Sequence, residues 1–384
     1  ESSLVEDRGT LNFTVMDRYG IAFGMTLMLP TLGVGQALDP ALITELPPAL
    51  GEASAILRHG EHTWLALDSG NPNVLYRVDP LSGQVVQEVM LTNATNVDWE
   101  EVATDGAWVF VGDIGNNAGH RTDLCFYRFP IQELSEGTDQ VVVDTIRFHY
   151  ADQLDHTPAP DATNWDCEAF LAVDDSVFLF TKNWLDERTH VYALPALPGA
   201  HTAVRRAVFD SQGLVTGAAR DPNSGDIALI GHTAQDVAPF VWVLRGYSGH
   251  HFFEGTSQQH SITMVPLQAE ALAYAGESTL MVADEWSPEQ APALWHLQLP
   301  MSVRDDHSRK VLRAFPVPAD REVHVEGADG TRPAQVFGLN GAWITTVNVR
   351  ADGTIQLPAL TNGEYLLEVI NEGIPQRIPL VVSH

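Results

Sequence analysis

The feature that most constrains this chain is one short arrangement written five times. A polar or acidic residue leads into an apolar run, a turn follows, and a second apolar run empties into Asp, Gly, Thr or His. The clearest copy is Asn96 to Asn117, NVDWEEVATDGAWVFVGDIGNN, in which Asp105-Gly106 separates two apolar runs. An Asp-Gly pair in that position is a strong hairpin signal. The other copies run from Glu52 to Gly70, Asp166 to Trp184, Thr216 to Thr233 and Gln268 to Trp286. Their equivalent positions Glu52, Glu100, Glu168, Gly217 and Glu270 lie about 48 to 68 residues apart. A third aromatic and β-branched run usually follows, such as Val74 to Val78, Leu124 to Phe129 or Phe240 to Leu244, and then a more variable fourth. Four strands per unit at this period predict an all-β chain built as a five-bladed β-propeller. Six blades is the alternative, because the wide gap between Glu100 and Glu168 has room for strands near Phe148 to Leu154.

The 384 residues suit one large all-β domain and a small one. A formal charge of −29 argues against nucleic acid, whose phosphates need a basic face. The two cysteines, Cys125 and Cys167, fall in apolar strands of different repeats and read as small buried hydrophobes. Met16 to Ala37 reads as a secretory signal, with one Arg, an apolar run from Ile21 to Val34 and a small-x-small end at Gly35-Gln36-Ala37. That run is too short and interrupted for a membrane span, so no transmembrane segment is expected in the mature protein. The expected division is 1–37 for the upstream segment and signal, 38–311 for the propeller, and 312–384 for a small Ig-like β-sandwich of short alternating strands.

Two family resemblances follow from particular motifs. The last 73 residues open on Pro316, Pro318 and Ala319, continue through Val336-Phe-Gly-Leu-Asn-Gly and Leu357-Pro-Ala-Leu-Thr-Asn-Gly-Glu-Tyr, and end on the apolar run Ile378 to Val382. This resembles the C-terminal sorting domain of type IX secretion in the Bacteroidota. The resemblance implies a secreted or outer-membrane-surface protein, with the type IX machinery as a partner of 312–384. The family often ends in a basic residue, whereas this chain ends Ser383-His384. Residues 48–300 resemble secreted bacterial propellers of largely unassigned function through Glu52 to Ala55, the N-x-D-W-E-E-V-A stretch Asn96 to Ala103, and Gly112 to Arg121.

In a propeller, the start of each inner strand and the end of the next meet at one mouth. Two rings are therefore expected there: Glu52, Glu100, Glu168, Gly217 and Glu270, and Asp68, Asp113, Lys182, His232 and Asp284. Carboxylates gathered on one axis repel one another, and a hard cation relieves them. Calcium is the expected cofactor, with Glu100, Glu168, Glu270 and Asn116 as metal ligands. Lys182 is one of two lysines in the chain, with Lys310. It is expected to pair with Glu168 or to steady a bound anion. Glu52, Trp99, Trp184, Asp284 and Trp286 are expected to line the ligand. The function expected is binding of an extracellular glycan, small molecule or protein at this mouth. The alternative is calcium-dependent hydrolysis of phosphoesters or lactones, with Lys182, His232 and Asp113 as the catalytic groups.

Overall fold

A computed structural model describes residues 10–16, 22–28, 31–263, 269–276, 278–288, 290–300, 313–315, 318–326, 333–338, 343–350, 352–371 and 374–383. Apart from single 3-10 turns at Pro48–Leu50 and Ile131–Glu133, every regular element in them is a strand. No helix among them is long and apolar enough to cross a membrane. The chain divides into two compact units, Glu1–Met301 and Ser302–His384.

The first unit is a propeller-like ring of antiparallel sheets. Its five inner strands are Ala53–His59, Trp99–Thr104, Asp166–Val173, Leu214–Arg220 and Ala269–Gly276. Each is followed by a hairpin partner that ends at Leu67, Asp113, Lys182, His232 or Asp284. Each inner strand packs beside the next, and the last packs beside the first, so the ring closes. The third and fourth strands continue each sheet outward, as Val74–Val78 and Val85–Leu91 do in the first. Asp144–Tyr150 is the outer strand of the second sheet, which accounts for the apolar residues in the wide gap between Glu100 and Glu168. It also runs parallel to Gly199–Phe209, so the second and third sheets form one eight-stranded surface. The fifth sheet takes its outer strand from the other end of the unit: Ala41–Glu45 pairs with Ala293–Gln298.

Inner and second strands are buried on both faces, which explains their near-continuous apolar runs. Ser176–Lys182 and Asp166–Val173 bury almost every side chain. The outer strands alternate, as in Asp144–Tyr150, because one face meets solvent. Cys125 and Cys167 are buried free thiols, as expected.

Thr10–Met16, almost all of it in the upstream segment, and Ala22–Met28, within the expected signal, form an antiparallel hairpin. Thr31–Val34 lies parallel to Thr256–Ser261 at the edge of the fourth sheet. The second unit carries a three-stranded sheet (Arg313–Phe315, Glu322–Glu326, Thr354–Gln356) and a four-stranded one (Trp343–Val347, Ala334–Gly338, Gly363–Asn371, Ile374–Val382). Val323, Val325, Val336, Ile355, Leu367 and Leu380 form its common buried core.

Candidate metal centre

One irregularity recurs in all five inner strands. The register against the partner strand slips by a residue between Ala53 and Ala55, opposite Gly112/Asp113, and between Cys167 and Ala169, Val215 and Gly217, and Ala269 and Ala271. The skipped residues are Ser54, Glu100, Glu168, Thr216 and Glu270. A β-bulge sets two residues against one and re-aims the extra side chain. Five bulges at one level of a closed ring therefore give a pentad around the axis.

The pentad corrects the expected first ring. Ser54 and Thr216 hold the positions assigned to Glu52 and Gly217. Their hydroxyls do a structural job: Ser54 Oγ donates to Trp99 O at 2.7 Å, and Thr216 Oγ1 donates to Ala269 O at 2.7 Å. Each thus ties its inner strand to the next. Glu52 lies two residues before its bulge, at the place Asp98 and Asp166 hold in their own strands, and is exposed. Gly217 is a close-approach residue, since a β-carbon there would sit 2.8 Å from Glu270 O.

A slip of one residue also separates the expected second ring from the observed one. Side chains alternate along a strand, so neighbours face opposite ways. Asp68, Lys182, His232 and Glu285 stand at the mouth, whereas Asp113 and Asp284 are turned into the sheet edges. Asp113 accepts from Asp98 N at 3.1 Å and from Arg121 Nη2 at 2.7 Å. Asp284 accepts from Ala293 N at 2.7 Å and from Gln290. Neither is placed to move a proton at the mouth or to touch a ligand there. Asn116 is likewise spent on its own loop: its Oδ1 accepts from Arg121 N and its Nδ2 donates to Trp165 O. Trp99 is fully buried, with Nε1 donating to Thr95 O, so it packs between sheets instead of rimming the mouth.

What remains at the mouth is strongly acidic. One oxygen each from Asp68, Asp98 and Glu100 lies within 4.8 Å of the others, and the same holds for Glu52, Asp68 and Glu285. Glu100 and Glu168 are 8% and 4% exposed. Lys182 Nζ meets Glu168 Oε1 at 2.5 Å and lies 4.9 Å from the centre of the Trp184 ring. Glu168 Oε2 is buried without a hydrogen-bond partner. Trp184 Nε1 donates to Asp166 Oδ2, and Trp286 stands 54% exposed at the rim beside Glu285. His232 is half-buried, with Nδ1 against Thr233 O at 3.0 Å.

The electrostatics follow from this crowding. Burial pushes Glu100 well above the usual carboxylate range, and Glu168, Asp68 and Asp98 push it further. Asp98 is raised to about 7, by burial first and then by Asp68. Glu285 is raised to about 9 by burial, then by Glu270 and Asp68. Burial opposes the charge on Lys182, but Glu168, Glu270 and Asp166 outweigh it and hold the ammonium well above its ordinary value. Burial and nearby Lys182 lower His232, with its backbone contact and Glu270 opposing.

Two further residues shape the site. A β-carbon on Gly115 would collide with Glu100 Oε1 and Asp98 Oδ2, so a larger residue in this loop would push both carboxylates aside. Glu101 is fully buried, and its Oε2 accepts from Ala218 N of the fourth sheet at 3.0 Å while Oε1 accepts from Val102 N. It reaches between inner strands that are not neighbours in the ring. Asp98, Glu285, Ser54, Thr216 and Glu101 were all missed from sequence. The signal that finds the pentad is alignment of the bulge itself: Glu52-Ala-Ser54, Asp98-Trp-Glu100, Asp166-Cys-Glu168, Leu214-Val-Thr216 and Gln268-Ala-Glu270.

No known family model matches the chain, and no curated protein matches it in sequence. Solved structures are similar at low identity. The PQQ-bound aldose sugar dehydrogenase of Streptomyces coelicolor is 9% identical, with a TM-score of 0.40 over 69% of this chain and 99% of that one. Hydrazine synthase of Kuenenia stuttgartiensis is 11% identical, with a TM-score of 0.33 over 83% and 77%. A 6-phosphogluconolactonase-like protein of Bacteroides uniformis is 14% identical, with a TM-score of 0.32 over 88% and 87%.

Proposed function

We propose that the first unit is a five-bladed propeller that holds a calcium ion at its acidic mouth and binds an extracellular ligand there. The observation that carries this reading is the convergence of Asp68, Asp98 and Glu100 within 4.8 Å, beside a buried Glu168 oxygen with no partner. Like charges this close are stable only when protonated or bridged by a cation. An all-oxygen donor set of carboxylates suits calcium. Asp68, Asp98 and Glu100 would hold the ion, with Glu168 and Glu270 completing the acidic wall. Lys182, already paired with Glu168, positions that carboxylate and steadies negative charge on a ligand. Glu52 and the exposed Trp286 lie at the rim, where a glycan or other small molecule would first touch. Titration calorimetry of the full chain with calcium chloride is expected to show one saturable site, weakened at least tenfold in Glu100→Gln and in Asp98→Asn. A flat titration of the wild-type protein after chelator treatment would reject the ion.

Hydrolysis at the same ion is the second reading, favoured by His232 standing beside Lys182 and Glu270. Calcium-dependent turnover of a phosphoester or lactone, lost in His232→Ala, would select it over binding alone.

The second unit is proposed to be an Ig-like sandwich that serves as the type IX sorting domain, which makes the protein secreted or surface-attached. Deleting 312–384 is expected to leave the protein in the periplasm of its host. Export of the shortened chain at the normal level would overturn that role.

A further inference from the structure

A second concavity lies off the axis, on the third sheet and the loop that leads into it. Its volume is about 440 Å³, within the range of roughly 300–1,000 Å³ usual for small-molecule sites. Asp152, Asp155, Asn164, Trp165, His190 and Arg205 are among the residues that line it. None of these six takes part in the carboxylate cluster of the mouth.

The walls are built. Trp165 is held by aromatic neighbours, with its ring 5.5 Å from Tyr150 and 6.5 Å from Tyr192. Asn164 is fixed through Oδ1, which accepts from Leu185 N, and through Nδ2, which donates to Asp186. Arg205 Nη1 meets Asp152 Oδ2 at 3.4 Å with about half of its side chain open to solvent, so several of its N–H donors stay free. His190 is mostly buried, and its Nδ1 has no hydrogen-bond partner.

The chemistry of the walls selects among ligands. An indole ring at one wall, with guanidinium, imidazole and carboxylates around it, offers donors and acceptors together with an apolar surface. A pyranose ring has the matching character, with an apolar face and a rim of hydroxyls. Asp152 and Asp155 outnumber Arg205, and the chain carries −29 overall, so an anionic ligand is disfavoured. We infer that this cavity is a carbohydrate-binding site that takes a neutral glycosyl unit against Trp165, with Arg205 and Asp152 on its hydroxyls. The inference is independent of the ion at the mouth.

The test uses the full chain in EDTA, so that it does not depend on calcium. Cellohexaose, maltohexaose, laminarihexaose, mannohexaose, chitohexaose and a galacturonate oligomer are titrated separately, with calorimetry and tryptophan fluorescence as readouts. At least one neutral hexaose is expected to bind. Arg205→Ala removes the free donors, and Ala162→Trp fills the cavity from an exposed position on its wall. Each is expected to weaken binding at least tenfold, about 1.4 kcal/mol, with a melting temperature close to wild type. Binding should survive Glu100→Gln. Absence of binding by every neutral hexaose, binding of galacturonate alone, or affinity unchanged in both cavity variants would each overturn the assignment. Binding restored only by added calcium would overturn it too, and would instead place the glycan at the mouth.

Discussion

Between about pH 4 and pH 9, the chelated protein is expected to lose thermal stability steadily, while protein in millimolar calcium keeps most of it. The sign comes from the raised carboxyls. Asp98 and Glu285 titrate near 7 and 9 when folded but in the ordinary carboxylate range when unfolded. As pH rises through that window, the unfolded chain gives up these protons first, so the unfolded state binds fewer protons and stability falls. Glu100 moves the same way. The groups that face them are Asp68, Glu168, Asp166, Glu270 and Glu52, with Lys182 and Arg121 opposing. A bound cation supplies the missing charge and removes the dependence. Calcium at a hundred times its dissociation constant would add about 2.7 kcal/mol, on the order of 4–5 °C for a unit of this size. The measurement is a set of melting curves with chelator and with calcium at each pH. Curves that overlay throughout would make the mouth purely structural.

Lys182→Met is expected to cost about 3–5 kcal/mol in chemical denaturation at pH 8 without calcium. The substitution keeps the length of the side chain but leaves Glu168, which is 4% exposed, buried with no counter-charge. At pH 5 the cost should be much smaller, because burial already favours the protonated form of Glu168. Adding Glu168→Gln should recover most of the loss, so the two substitutions couple strongly in a double-mutant cycle. A loss below about 1 kcal/mol for Lys182→Met would mean that the pair is surface-like in its energetics.

The sheet order was legible because each strand carries its own signal. Val109-Phe-Val and Phe178-Leu-Phe are buried on both faces and read as continuous apolar runs, and Asp105-Gly106 marks the hairpin between its strands. Facing was less legible. Asp113 looked equivalent to Asp68, yet it stands one residue before the mouth position that Ile114 takes, and a single step turns a side chain to the other face. The bulges added the same uncertainty at the strand starts. Nothing local in Glu52-Ala-Ser54 says that Ser54, and not Glu52, is the residue the ladder skips; only comparison with the four other starts does. Glu101 could not have been found this way. Its partner, Ala218, lies 117 residues further on, and a carboxylate in an apolar strand start gives no hint of a contact that far away.

The pairing of Ala41–Glu45 with Ala293–Gln298 has a kinetic consequence. The ring is fastened by contacts between residues some 250 positions apart in the chain, so the unit has a high contact order and should fold slowly. During synthesis or export, the first four sheets can form as they emerge, but the loop that joins the two halves of the fifth cannot close until residue 298 is free. Until then Ala293's future partner strand and the apolar side of the first inner strand stay uncovered, and this is the interval in which the chain is open to chaperones, proteases and self-association. Once fastened, the ring exchanges that exposure for a clasp that must break before any sheet can leave.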